Sequence, residues 1–179
     1  GGSENMFFDA YGAGAVQALC RERGWLLLAP RTGGGPLSAV LDSLARLHPF
    51  ARDRVLLVGH SMGAMQASAA LTTTPERYAG AAFLAGGGRA GSKPLPPCFV
   101  GTGTLDFSAA GAKALARRLQ GLASSVEVRE YPAEHLTVVQ LALPDVFAFF
   151  ETCLAAKAPR QRWGPIGFDA PVVPPATAR

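Results

Sequence analysis

The chain has 179 residues, of which 49% are hydrophobic and 17% charged. That length and balance fit one domain with a sizeable core and exclude a largely disordered chain. The net charge of +4 is mild, and Arg21, Arg23, Arg52, Arg54, Arg117 and Arg118 are scattered along the sequence; they read as solvated faces, with no nucleic-acid-binding stripe.

Taken in chain order, residues 5–23 carry Phe7, Phe8, Tyr11, Val16 and Leu19 on one side of a predicted helix that Gly24 stops. Residues 25–29 are a short, continuously apolar run, as expected of a strand buried on both faces. A Gly-rich loop over 31–36 leads into helical spacing at 37–47, and RVLLVG at 54–59 reads as the central strand. Residues 62–73 predict a small-residue helix able to pack closely on a sheet. Strands follow at 80–85, 98–101 and 126–131, with a helix at 108–119. The last helix is expected to start at Pro144, since proline suits a first helical position, and to end near residue 155.

Beyond Lys157 the sequence turns Pro-rich (Pro159, Pro165, Pro171, Pro174, Pro175), which predicts an extended tail with Trp163, Ile166 and Phe168 as docking side chains. The expected division is a catalytic domain at 1–156 and a tail at 157–179. Alternating apolar runs and helical patterns predict an α/β fold, a doubly wound, mostly parallel sheet flanked by helices. Cys20, Cys98 and Cys153 lie in apolar surroundings without metal-ligand spacing, so they read as small buried hydrophobes. No apolar run reaches the ~20 residues of a membrane span. The sequence opens at Gly1 with no leader pattern, which leaves cytoplasmic and secreted locations both open.

The chemistry centres on Gly59-His60-Ser61-Met62-Gly63, between the strand at 54–59 and the helix at 62–73. A serine at the apex of a sharp strand-to-helix turn is held in strained backbone angles. Small residues two positions either side are expected to avoid collision with the neighbouring chain. The helix starting at Met62 aims its N-terminal dipole at the same point.

A serine hydroxyl needs a base, and the base needs an orienting acid. Three histidines are present. His48 ends a surface helix, His60 is fixed beside the serine and expected to point elsewhere, and His135 follows a strand downstream of Ser61. His135 is the candidate base. Asp106 closes CFVGTGTLDF between Ser61 and His135 and is the candidate acid. Glu76, Glu127 and Glu130 lie on the wrong elements, and Glu134 is too close to His135 to orient its far nitrogen.

With GHSMG, GTGTLD and EHL at these separations, the sequence resembles the α/β-hydrolase superfamily from Gly1 to about residue 155. The separations are similar to those in its dienelactone-hydrolase-like, esterase and prolyl-oligopeptidase-like branches, and the first strands of that fold are expected to be missing. The resemblance implies a serine hydrolase with Ser61 as nucleophile, Asp106 as acid and His135 as base, needing no metal or organic cofactor. It also implies an oxyanion hole made by the backbone N–H of Met62 and a donor from an HGG-type loop. Gly1-Gly2-Ser3 is similar to the end of such a loop, which makes Gly2 the second donor; an added linker is the other reading.

A small-molecule carboxylic ester is the expected substrate. A peptidase of the prolyl-oligopeptidase type and a catalytically silent hydrolase-fold fragment are the competing readings. The glycines at 33–35 and 86–88 are expected to frame an open, lidless mouth, with Arg31 available to a substrate carboxylate or a structural ion pair.

Overall fold

A computed structural model describes residues 11–30 and 35–157. Its elements are α1 (Ala15–Glu22), α2 (Leu37–Leu47), β1 (Leu56–His60), α3 (Met62–Thr73), β2 (Gly80–Leu84), β3 (Cys98–Gly103), α4 (Ala109–Leu119), β4 (Val126–Tyr131) and α5 (Val138–Ala155). The strands form one four-stranded sheet in the order β1-β2-β3-β4, every pair parallel.

Alternation along β2 explains the two-sided packing, because successive side chains of a strand leave opposite faces. Ala82 and Leu84 join Phe99 beneath α1 and α5, where Val16, Val139, Leu143 and Val146 close the core. Ala81 and Phe83 join Val100 on the other face, against Leu41 of α2, Ala64 and Leu71 of α3, and Leu115 of α4. Both central strands are buried throughout, which is why they read as unbroken apolar runs. β4 is an edge strand, and its exposed side carries charge: Lys113 pairs with Glu130, and Arg129 with Glu127 and Asp145.

Three expectations change. Residues 25–30 lie in no strand, so the described sheet has four strands rather than five. Trp25 and Leu27 pack on the α5 side and Leu28 on the other, but no described strand lies beside the segment. Between it and β1 opens a cavity of about 980 Å³, lined by Leu26, Leu28, Leu56 and Val58, to which Ser61, Asp106 and His135 contribute nothing. The first described helix starts at Ala15, after a turn in which Gly14 takes φ 73°; Phe7 and Phe8 lie outside the described residues.

The last helix starts at Val138 and carries Pro144 in its interior. Losing a helical hydrogen bond at proline costs about 3 kcal/mol. The buried side chains of Val138, Val139, Ala142 and Leu143 offset this and extend the helix upstream. By length and composition α5 is apolar enough to cross a membrane; in this fold its apolar side chains cover one face of the sheet. Trp163, Ile166 and Phe168 lie outside the described residues.

Candidate active site

Ser61 sits between the last residue of β1 and the first of α3, with φ 56° and ψ −118°. The turn is fixed at both ends. The Ser61 N–H donates to the Leu84 carbonyl at 2.9 Å, and the Ser61 carbonyl accepts from the Ala64 N–H at 3.0 Å. A Cβ on Gly59 would strike the Gly63 carbonyl and the Ala64 nitrogen, so glycine is required there. At Gly63 a Cβ would meet nothing within 4 Å, so the expected collision arises on one side of the serine only. Two further glycines share the load. A Cβ on Gly86 would press on the Ser61 carbonyl and Ala64, and one on Gly88 would strike Ser68. These two glycines let the chain after β2 close against the elbow and α3.

The three sequence-selected side chains meet. His135 Nε2 lies 2.8 Å from Ser61 Oγ, and His135 Nδ1 lies 2.9 Å from Asp106 Oδ1. A carboxylate only accepts, so Nδ1 carries the proton and the neutral ring offers Nε2 to the serine hydroxyl. The Asp106 side chain is fully buried. Burial pushes its carboxyl up, but the Ser108 N–H, the His135 ring and the Ser108 hydroxyl together hold it below the ordinary range.

Two loops must touch for this to happen. Beyond the paired strands, Thr104 N–H donates to the Tyr131 carbonyl at 2.8 Å and Leu105 N–H to the Ala133 carbonyl at 3.1 Å. This tie of the Asp106 loop to the His135 loop needs Gly103, where any Cβ would strike the Ala133 carbonyl.

Ser108 and His60 belong to the site although neither was selected from the sequence. The Ser108 N–H donates to Asp106 Oδ1 at 2.8 Å, and its hydroxyl lies 2.9 and 3.0 Å from Oδ1 and Oδ2 and 3.4 Å from His135 Nδ1. The Asp-x-Ser spacing is the signal that would have found it, since short polar side chains bond locally over two residues. His60 does not point away. Its Nε2 donates to the His135 carbonyl at 2.8 Å, with the two rings 5.0 Å apart. Burial holds His60 below the usual imidazole range, against the raising effect of that hydrogen bond.

Met62 is the first residue of α3, so its N–H is one of the helix-start donors that lack an intrahelical acceptor. Gly2, Arg31 and Gly33 lie outside the described residues. His48 follows α2 at the surface, and Glu127 and Glu130 are engaged in the β4 ion pairs. The cysteines are free and buried; burial raises the thiols of Cys98 to about 12 and Cys153 to about 11, which leaves them unreactive. Among the described residues, no three His, Cys, Asp or Glu side chains gather as a metal site.

No protein-family model and no curated protein matches the sequence. Solved structures do match. A Bacillus cereus carboxylesterase aligns with 68% of this chain and 58% of its own length, at 25% identity and a TM-score of 0.54. FphF, a fluorophosphonate-binding serine hydrolase of Staphylococcus aureus, aligns over 83% of this chain and 79% of its own, at 13% identity and a TM-score of 0.67. A Mesorhizobium loti carboxylesterase aligns over 68% and 58%, at 22% identity and a TM-score of 0.54. The chain thus spans under two-thirds of either carboxylesterase. Parallel sheet, helices on both faces and a strand–turn–helix serine together give this chain the α/β-hydrolase fold of these serine hydrolases and carboxylesterases.

Proposed function

We propose that this chain is a serine hydrolase that cleaves carboxylic esters through an acyl-enzyme formed on Ser61. One observation carries the reading. Ser61 Oγ, both ring nitrogens of His135 and Asp106 Oδ1 form an unbroken hydrogen-bond relay at 2.8 and 2.9 Å. The carboxylesterase and serine-hydrolase names of the solved relatives agree with it.

In the first step His135 Nε2 takes the Ser61 proton as Oγ bonds to the ester carbonyl carbon. Asp106 stays ionised and stabilises the imidazolium through the Nδ1–H bond. The oxyanion is received by the N–H of Met62, at the positive end of α3, with Gly2 proposed as the second donor; such a donor is worth about 10²–10³ in kcat. As the tetrahedral carbon collapses, the bond to the alcohol oxygen breaks and that oxygen takes the proton from Nε2. Water then gives its proton to Nε2 and attacks the acyl carbon, and Ser61 leaves with the proton returned to it.

The test is labelling by an active-site-directed fluorophosphonate, together with turnover of p-nitrophenyl acetate and p-nitroanilide substrates. Labelling lost in Ser61→Ala, with ester turnover well above amide turnover, supports the reading. A folded chain that takes no label overturns it, and faster amide than ester turnover replaces the esterase with a peptidase.

A further inference from the structure

Nine large apolar side chains are exposed among the described residues, and five of them surround the relay in sequence. Met62 adjoins Ser61, and Met65 lies one helical turn further on. Leu105 and Phe107 flank Asp106, and Leu136 follows His135. Single exposed apolar residues are ordinary, but a group of them around polar groups that converge marks a ligand surface. Phe107 stands out within this group. It is 84% exposed, yet its ring lies 4.3 Å from the His135 ring, inclined by 32°. One face of the His135 ring, whose Nε2 meets Ser61, is thus overlaid by a largely solvent-exposed aromatic ring.

Which half of an ester this plane meets follows from proton traffic. Nε2 receives its proton from Ser61 and passes it to the departing oxygen, so the departing group must lie against His135 when the tetrahedral carbon collapses. The acyl half is held from the other direction, by the oxyanion donors at the start of α3. We propose that Phe107, assisted by Leu105, is a leaving-group platform that selects esters of aromatic or bulky apolar alcohols. The inference rests on the serine-hydrolase reading above and deepens it. An aryl group stacked on Phe107 exchanges exposed apolar surface on both partners for contact, in the offset geometry that aromatic pairs favour.

The experiment compares two phosphonylating probes on the full chain, sharing one phosphonyl group and differing in leaving group: p-nitrophenolate or fluoride. In both, the Ser61 Oγ–P bond forms as the bond from phosphorus to the leaving group breaks, and the serine proton moves to His135 Nε2. Only the aryl probe has a group to stack. In Phe107→Ala the ratio of aryl-probe to fluoride-probe labelling rates should fall about tenfold, and Phe107→Tyr should restore most of it.

The same contrast should hold in kcat/KM for phenyl against ethyl esters of one acid, mainly through KM. A ratio unchanged in Phe107→Ala overturns the platform. So does an equal loss on both probes with a displaced pH profile, which would mean that Phe107 acts only by shielding His135. An absence of labelling by either probe in the unmodified, folded chain defeats the hydrolase reading itself. Thermal unfolding of each variant separates these results from simple loss of fold.

Discussion

Replacing Ser61 separates the strain of the elbow from its chemistry. Ser61 holds φ 56° and ψ −118°, a region that β-carbon-bearing residues occupy at a cost of roughly 1–3 kcal/mol. Ser61→Ala removes the hydroxyl and its 2.8 Å bond to His135 but keeps the Cβ, and so keeps the strain. Ser61→Gly loses the same bond and releases the strain, against an added unfolded-state entropy of roughly 0.5–1 kcal/mol. At mid-range values the difference leaves Ser61→Gly more stable than Ser61→Ala by about 1 kcal/mol. For a domain of this size that is about 2–4 °C in Tm. Urea unfolding followed by circular dichroism at pH 7 measures it, and both variants should be inert to a fluorophosphonate. If the glycine variant is no more stable than the alanine variant, the elbow stores no strain and its geometry must be held by hydrogen bonds alone.

Gly59→Ala points its new methyl at the Gly63 carbonyl and the Ala64 nitrogen. Backbone atoms at the start of α3 can yield only by moving the helix, so a loss of about 3 kcal/mol in urea unfolding is expected, and a loss under 0.5 kcal/mol would contradict the packing. Ser108→Ala removes one hydrogen bond to a buried carboxylate and should cost about 1.5–3 kcal/mol at pH 7. Because the folded Asp106 value is depressed, the carboxylate's stabilisation exists above its unfolded value of about 3.9 and vanishes as pH falls through the folded value. The deficit of Ser108→Ala should therefore narrow below about pH 4. His60 is also depressed, by burial. Below about pH 6.5 the unfolded chain then binds more protons than the folded one, and stability falls with pH by at most about 1.4 kcal/mol per unit. His60→Gln, which keeps a donor for the His135 carbonyl, should flatten that part of the urea-midpoint profile.

The elements around the elbow were legible because local and tertiary demands agree there. β1 is apolar, α3 is made of small residues and Gly59 permits the close turn, so strand, turn and helix could be read at 54–73 nearly as they stand. His135 stands out as the candidate base by scarcity, and Asp106 as the candidate acid by its place between Ser61 and His135.

What could not be read depends on partners distant in sequence. Whether the apolar run at 25–29 is a strand depends on a neighbour to pair with, which periodicity does not encode. The start of α5 differs from the expected one because the rule for proline at a first turn is local, whereas burial of Val138 and Val139 under the sheet is not. The direction of the His60 ring follows from its place at the end of β1 and from a carbonyl 75 residues downstream.

That same contact between His60 and the His135 carbonyl spans the whole sheet in sequence order. It joins the end of β1 to the loop after β4 and encloses β2 and β3 within the intervening chain. A reactive Ser61 therefore requires all four strands to be paired in register first, a set of long-range closures that form slowly. On the proposed function, nucleophilicity at this serine becomes a clock for folding. During refolding, the moment at which the hydroxyl first takes a probe should coincide with completion of the sheet and lag behind the appearance of helix.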